Sequence, residues 1–290
     1  MFTLPTNPDT ILVPIDVTET ASTLEDLLRF CYPMEPPELL GFRRHRLVLE
    51  AARKYEMEFI ARPLNNRLRN FLPTEAMRVY CLAYKYEDGE LAQAAARQLL
   101  LQPRLFDLLH PPPEFDELPI TALAKLMAYR EQSATAAAAV LLDDRWMMTD
   151  FRGHALRVSK RGNIVPSEPS KPGWTWLTCQ SCKAGNSSIS LDSMASHWIP
   201  SPIRPRLWWE TYRDSCVKEI RLFLRPLPSV VTESHLIRPA LENAARCKTC
   251  EPKAAAELSE YAEAVAKRIE ADVAKVRAEN VGLEVLVHEG

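Results

Sequence analysis

The chain has 290 residues, of which 47% are hydrophobic and 26% charged, a composition typical of folded domains and unlike that of disordered chains. Its 36 Lys and Arg residues are balanced by 38 Asp and Glu residues, so it has no overall basic field for binding nucleic acid. The N-terminal segment lacks a signal-peptide pattern and no apolar stretch approaches the roughly 20 residues of a membrane span. We therefore expect a soluble protein of the cytoplasm or nucleus.

The first hundred residues predict one strand followed by short helices. Residues 11–17 are rich in β-branched side chains and include Pro14, which favours a short edge strand. Ser22 and Glu25 have the spacing of a capping box, and the helix after them should end before Pro33. The helical faces are marked by Leu24, Leu27, Leu28, Cys31, Leu47, Val48, Ala51, Ala52, Tyr55, then, after a break near Pro63, by Phe59, Leu64, Leu68, Val79, Tyr80, Ala83 and Tyr84.

The rest of the chain is predicted to be helical around one loop-rich segment. A helix over 91–101 is followed by three prolines at 111–113, the best candidate for a linker, and then by a helix from about 119 to 142. Residues 151–205 are rich in Gly, Pro and Ser, which favours loops with two short strands. The next helix has Trp209, Tyr212, Cys216, Ile220 and Phe223 on one face. The last has a stripe of Leu258, Tyr261, Val265, Ile269, Val273 and Val276, for which internal packing is favoured over binding to a partner.

Several segments before residue 105 occur in an order found in a known family. They read IDVTET, STLEDLLRFCYP, RLVLEAARKYEME and AMRVYCLAYKYEDGELAQAAARQLL. This order resembles the BTB/POZ domain and its trailing helices in fungal proteins of the basidiomycete type. The opening MFTLP is similar to the end of a family stretch that lies in the middle of the BTB fold. The resemblance therefore implies a partial BTB/POZ domain without its N-terminal half, the half that usually forms the homodimer contact.

The fold class that we predict is mainly α, with two domains. Residues 1–105 form the partial BTB/POZ helical region with its edge strand, and residues 106–290 form a second helical region that contains the loop-rich segment 151–205. BTB proteins serve as adaptors of cullin-type ubiquitin ligases or as transcriptional regulators. The resemblance thus implies protein partners, either a cullin-type ligase scaffold or a second copy of the chain.

Two C-x-x-C pairs are the sharpest local feature of the sequence, Cys179 with Cys182 and Cys247 with Cys250. Two such knuckles supply the four thiolates of a tetrahedral structural zinc site. Because the knuckles are much farther apart than in compact zinc modules, the tertiary fold must bring them together. Unmetallated thiols and a redox pair are the alternatives, and His197 is a weaker substitute ligand.

Other chemically suggestive residues have ordinary structural explanations. The tryptophans at 174, 176, 198, 208 and 209 could form a ligand cage, but packing is the default for aromatics. Cys31, Cys81 and Cys216 are predicted to be small core residues. The segment GFRRHR at 41–46 is predicted to be a solvated loop.

Motifs for catalysis are lacking in the sequence: there is no phosphate-binding glycine loop, no G-x-S-x-G and no H-E-x-x-H. Triads built from His154, His197 or His235 are only weakly indicated. We expect a non-enzymatic protein-interaction module. A zinc-containing nuclear regulator that contacts DNA and an uncharacterised enzyme are the alternative hypotheses.

Overall fold

The computed structural model describes residues 16–33, 35–102, 105, 110–143, 156–158, 164–166, 174–187 and 204–276. This part of the chain is mainly helical, as predicted, and it divides into two compact units, Met1–Glu75 and Ala76–Gly290. The predicted domain boundary after residue 105 stays a prediction, and the compact units divide earlier. Of the predicted edge strand, residues 11–15 lie outside the described part, and Asp16 and Val17 belong to no strand.

Three helices build the first unit. They are α1 (Ala21–Arg29), α2 (Phe42–Lys54) and α3 (Glu58–Arg67), followed by a 3-10 helix at Leu68–Phe71. α2 packs against both α1 and α3, because its apolar face is fully buried between them; Val48 and Leu49 have no exposed surface. An ion pair also joins the first two helices, since Arg44 donates two hydrogen bonds of 2.7 Å to the buried Asp26 carboxylate.

The ends of these helices differ from the sequence prediction. The N-cap of α1 is Thr20, whose hydroxyl accepts from the backbone N–H of Thr23, so the capping box at Ser22 is wrong. The break between α2 and α3 was predicted near Pro63 but lies at residues 55–57, where Glu56 has a φ of 56°. α3 then runs through Pro63, which is tolerated because this proline is exposed and solvent can reach the carbonyl group left without a partner.

The sequence assigned the wrong environment to Cys31, to Phe59 and to the segment 41–46 of the first unit. Cys31 is exposed, because α1 ends at Arg29 before the apolar stripe reaches it. Phe59 lies in the first turn of α3 and is 65% exposed. The segment 41–46 is not a loop, since Gly41 caps α2 and His45 is buried within that helix.

The second unit contains most of the chain. Its elements are α4 (Leu72–Lys85, kinked at Glu75, where the two units divide), α5 (Gly89–Leu100), α6 (Ile120–Leu142), β1 (Leu156–Val158), β2 (Ile164–Pro166), α7 (Thr175–Thr178), α8 (Leu207–Phe223), α9 (Ser234–Ala244) and α10 (Glu251–Lys275), with 3-10 helices at Pro113–Glu117 and Pro228–Thr232. The two strands pair antiparallel, with Arg157 opposite Val165.

The core of the second unit lies where α6, α8 and α10 meet. α6 packs against both α8 and α10, and its alanines allow this close approach, with Ala137 and Ala138 completely buried. Four of the six stripe residues of α10, Leu258, Tyr261, Val265 and Ile269, are buried here. Internal packing of that helix is therefore confirmed.

Arg130 links three chain segments inside the second unit. Its guanidinium group donates hydrogen bonds to the carbonyl oxygens of Leu99, Gln102 and Leu224. Leu224 ends α8 in the left-handed region, with φ 48° and ψ 49°, a conformation that is costly for a residue with a bulky side chain. Burial lowers the pKa of Arg130, with Arg225 acting in the same direction. The bonds to three carbonyl groups replace the water that this buried cation has lost.

Candidate metal centre

The four cysteines of the two C-x-x-C pairs lie together in the second unit. All four sulfur atoms are within 4.8 Å of one another. Two contacts join the pairs: 3.7 Å from Cys179 Sγ to Cys247 Sγ, and 3.5 Å from Cys182 Sγ to Cys250 Sγ. Each contact joins residues 68 positions apart in the chain. The fold thus assembles a buried group of four thiols that could hold a metal ion.

The sulfur–sulfur distances fit a tetrahedral metal better than a disulfide. A zinc ion bonded to four sulfurs at about 2.3 Å separates them by about 3.8 Å, the edge of a regular tetrahedron. A disulfide bond is about 2.05 Å long, and all four cysteines are free. Cys179, Cys247 and Cys250 are buried, while Cys182 is half-buried. The group therefore has the donor atoms, spacing and enclosure of a closed structural metal site.

The single turn of α7 positions the first knuckle. The Cys179 backbone N–H donates to the Thr175 carbonyl oxygen at 2.9 Å, so the cysteine follows directly on this turn. Glu257 of α10 caps the start of the turn: its carboxylate accepts from the Thr175 N–H at 2.8 Å and from the Thr175 hydroxyl at 2.7 Å. Burial raises the pKa of Glu257, although these hydrogen bonds oppose the rise.

The chain after Cys182 is tied to the start of α8. Ala184 and Arg206 form an isolated antiparallel bridge, and the Gly185 N–H donates to the Pro205 carbonyl oxygen at 2.7 Å. Arg206 also donates from its side chain to the Cys182 carbonyl oxygen at 3.3 Å. The first knuckle is therefore fixed at the N-terminal end of α8 as well as by α10.

Glu210 of α8 holds the segment that follows the first knuckle. Its carboxylate accepts from the backbone N–H groups of Asn186 at 2.7 Å and Ser187 at 2.5 Å. Burial opposes its ionisation, but these hydrogen bonds prevail and lower its pKa. A β-carbon at Gly185 would collide with this carboxylate and would lie 3.1 Å from the Pro205 carbonyl oxygen. Glycine is required at 185 by this close approach.

The second knuckle forms the junction of α9 and α10. The backbone N–H groups of Cys250 and Glu251 both donate to the Cys247 carbonyl oxygen, at 3.0 and 2.9 Å. Burial opposes ionisation of Cys247, yet hydrogen bonds from the backbone of Cys250 and from Cys182 lower the pKa of this thiol to about 6. Burial raises the pKa of the Cys182 thiol, and hydrogen bonding with Cys247 and Cys250 adds to the rise. The hydrogen bonds to Cys247 favour its thiolate form, the form that metal binding requires.

Stacked aromatic rings lie beside the first knuckle. The rings of Trp176 and Trp209 are parallel at 4.2 Å, Trp174 stacks on Trp176 at 4.8 Å, and Tyr261 meets the Trp209 ring edge-on at 5.2 Å. All of them are buried. The packing role predicted for the tryptophans at 174, 176, 208 and 209 is thus confirmed, while Trp198 lies outside the described residues.

The remaining predicted residues are placed as follows. Cys81 and Cys216 are buried core residues, as predicted. His154 and His197 lie outside the described part of the chain. His235 is exposed, and one of its ring nitrogens lies within 4.8 Å of a carboxylate oxygen of Glu219 and of Glu233. Arg225 already bridges those two carboxylates, at 2.8 and 2.5 Å, so this group is an ion-pair network rather than a second metal centre.

Sequence reasoning missed the residues that support the centre. Glu257, Glu210 and Arg206 reach the first knuckle from distant parts of the chain, and none belongs to a recognisable motif. Among the supporting residues, only Gly185 could have been noticed in the sequence, because the chain has just 8 glycines. Its reason for being glycine is visible only in three dimensions.

Comparison with known proteins found no match to this chain. No family model matches the chain, and neither a curated protein nor a solved structure matches it. Among the described residues, no helix is long and apolar enough to cross a membrane.

Proposed function

We propose that this chain is a non-enzymatic protein-interaction module of the BTB/POZ type, with a structural zinc ion bound by Cys179, Cys182, Cys247 and Cys250. The observation that supports it most directly is the closed group of four sulfurs. Four thiolates complete the tetrahedral shell of zinc and leave no position for a substrate or a reactive water. Such a site stabilises a fold and does no chemistry.

Zinc is the metal that suits this donor set best. Soft thiolate ligands in tetrahedral geometry select zinc or iron–sulfur clusters over magnesium or calcium. The cluster would carry a formal charge of −2, since four thiolates outweigh one divalent cation. Basic residues flank both knuckles in the sequence, namely Lys183, Arg246, Lys248 and Lys253. Arg206 donates a hydrogen bond to the Cys182 carbonyl oxygen. The positive charges of these side chains favour the negative charge of the cluster.

The interaction role rests on the first unit. Its helices α1 and α2 lie in two of the segments that resemble the BTB/POZ domain, STLEDLLRFCYP and RLVLEAARKYEME. Several of its large apolar side chains are exposed, including Leu28 at 48%, Tyr32 at 61% and Phe59 at 65%. A surface of this kind is suited to a protein partner, and we propose the scaffold of a cullin-type ubiquitin ligase as that partner.

The metal is tested by elemental analysis of protein purified under reducing conditions. We expect about one zinc per chain, and its loss together with thermal stability in Cys182→Ser. Cys216→Ala is the matched control, because Cys216 is a buried thiol of the same unit outside the cluster, and it should retain zinc. Zinc well below one per chain in the unmodified protein, with Cys182→Ser as stable as the parent, would show that the four-cysteine site is wrong.

The partner is tested by titrating the purified chain with the N-terminal domain of a cullin-type scaffold and measuring heat of binding. We expect a complex that Tyr32→Ala or Phe59→Ala weakens at least tenfold. The double variant Leu222→Ala/Phe223→Ala is the control, because these residues are equally exposed, at 63% and 59%, but lie in the second unit. Absence of heat of binding with the zinc-loaded chain contradicts the ligase assignment.

A further inference from the structure

Cys182 is the member of the four-cysteine group that solvent reaches most easily. It is half-buried, whereas the other three cysteines are buried: Cys179 is 3% exposed, Cys247 9% and Cys250 0%. Lys183, the next residue in the chain, is exposed. Oxidation of cysteine depends on how well the oxidant can reach the sulfur. A dissolved oxidant therefore meets Cys182 before it meets the other sulfurs of the group.

A sulfur of the other knuckle lies beside Cys182, ready to react with it after oxidation. The distance from Cys182 Sγ to Cys250 Sγ is 3.5 Å. A disulfide bond is about 2.05 Å long, so the two sulfurs need to approach each other by only about 1.5 Å. The backbone is held on both sides of this gap, because Arg206 donates to the Cys182 carbonyl oxygen and the Cys250 N–H donates to that of Cys247. The contact therefore favours a disulfide that joins the two knuckles.

Such a disulfide would remove half of the ligands of the proposed metal site. Zinc in a closed structural site is held by four donors, and a cysteine binds it as a thiolate. The two sulfurs of a disulfide are no longer thiolates, so only Cys179 and Cys247 would remain as ligands. Oxidation at Cys182 and retention of the metal are therefore incompatible.

We propose that Cys182 is a site of oxidation by hydrogen peroxide, and that its oxidation forms a Cys182–Cys250 disulfide and releases the metal. The release of metal rests on the proposed zinc site, whereas the pairing of the two cysteines rests on the sulfur contact alone. A thiol reductant reverses the change, because it reduces the disulfide and restores both ligands. The four-cysteine group then stabilises the second unit under reducing conditions and loses its metal under oxidising ones.

The reaction has two steps. The Cys182 sulfur attacks one oxygen of hydrogen peroxide, the O–O bond breaks, and the leaving hydroxide takes up a proton to become water, so that Cys182 becomes a sulfenic acid. The Cys250 sulfur then attacks the Cys182 sulfur, an S–S bond forms, the S–O bond breaks, and a second hydroxide leaves and becomes water. The two sulfurs supply the two electrons that reduce one peroxide to two waters.

The test treats the unmodified, reduced chain with less than one equivalent of hydrogen peroxide and stops the reaction with acid. Remaining thiols are alkylated and the disulfide is mapped by mass spectrometry, while a chromophoric chelator measures released zinc against an untreated sample. We expect a Cys182–Cys250 peptide pair, about one zinc released per peroxide consumed, and zinc binding restored by dithiothreitol. A first disulfide within one knuckle, Cys179–Cys182 or Cys247–Cys250, overturns the assignment. Zinc that stays bound in excess peroxide overturns it as well.

Cys31 provides the control, because it is an exposed thiol of the first unit that competes for peroxide. Cys31→Ser should release as much zinc as the parent and give the same Cys182–Cys250 disulfide. Loss of the release in this variant would show that Cys31 is the primary target and that the assignment to Cys182 is wrong.

The same experiment separates the inference from the proposed metal site. If the purified chain contains no zinc, the metal site is wrong, but the disulfide map of the peroxide-treated chain still decides the pairing. Cys182–Cys250 as the first disulfide then supports Cys182 as the site of oxidation, and any other first disulfide overturns it.

Discussion

At the scale of single residues, His45 shows how burial makes a titratable group sensitive to pH. Its Nε2 donates to the Leu64 carbonyl oxygen at 2.8 Å inside the first unit. Burial lowers the pKa of His45 below its ordinary value of 6.5; the bond to Leu64 opposes the shift and Arg67 adds to it. The unfolded chain therefore binds this proton more readily than the folded chain. Stability from His45 is complete above pH 6.5 and is lost as the pH falls through the lowered pKa.

We therefore predict that the first unit loses stability between pH 7 and pH 5, by at most about 1.4 kcal/mol per pH unit. The measurement is hydrogen exchange of α2 amides, compared with His45→Gln, which keeps a donor but does not titrate. The stability of the variant should depend less on pH than the stability of the parent protein. Glu19 does not interfere in this window: its pKa is lowered to about 2 by hydrogen bonds from Lys54 and Tyr55, so its contribution is lost only below about pH 4.5. Parallel curves for variant and parent contradict the prediction.

At the scale of elements, the short helix α7 depends on a residue from another helix. Four residues cannot form a stable helix alone, and α7 persists because Glu257 of α10 accepts from the N–H and hydroxyl groups of Thr175. Since Cys179 follows α7 directly, the cap and the metal centre should be coupled. The link between α10 and the first knuckle is thus made twice, once by this carboxylate and once by the sulfurs.

We predict that Glu257→Ala destabilises the zinc-loaded protein by about 1–3 kcal/mol, the cost of leaving buried donors without an acceptor, and that it also weakens zinc binding. Thermal unfolding and chelator competition measure the two effects. Glu263→Ala, an exposed carboxylate of the same helix, is the control and should change neither. Loss of stability with unchanged zinc affinity would show that cap and centre are independent.

At the scale of the whole molecule, metal removal should act on one unit and spare the other. Zinc sites of this type bind with about 10–16 kcal/mol, as much as the entire stability of a typical domain at about 5–15 kcal/mol. We predict that a chelator under reducing conditions removes hydrogen-exchange protection from residues 174–187 and from α9 and α10, while α2 and α3 stay protected. Unchanged protection of α10 after complete zinc removal would contradict a structural role.

The sequence allowed the helices and the four cysteines to be predicted, because helical periodicity and C-x-x-C spacing are local signals. It misplaced Cys31 and Phe59, since the ends of α1 and α3 depend on backbone conformation at positions such as Glu56. It gave no sign of Glu257 or Glu210 as supports of the first knuckle. Those contacts join residues that are distant in sequence, and such contacts produce no local sequence pattern from which they could be predicted.

The distance along the chain between the sulfur partners also determines when the centre can form. Cys182 and Cys250 are 68 positions apart, and at about 5–20 residues per second of synthesis the first knuckle waits roughly 3 to 14 s for the second. During that interval α8 is synthesised, but only two of the four cysteines of the centre exist. A nascent chain therefore has two cysteines that can bind metal before the core of the second unit has formed, and its folding in the cell depends on how free zinc and oxidants compete for them.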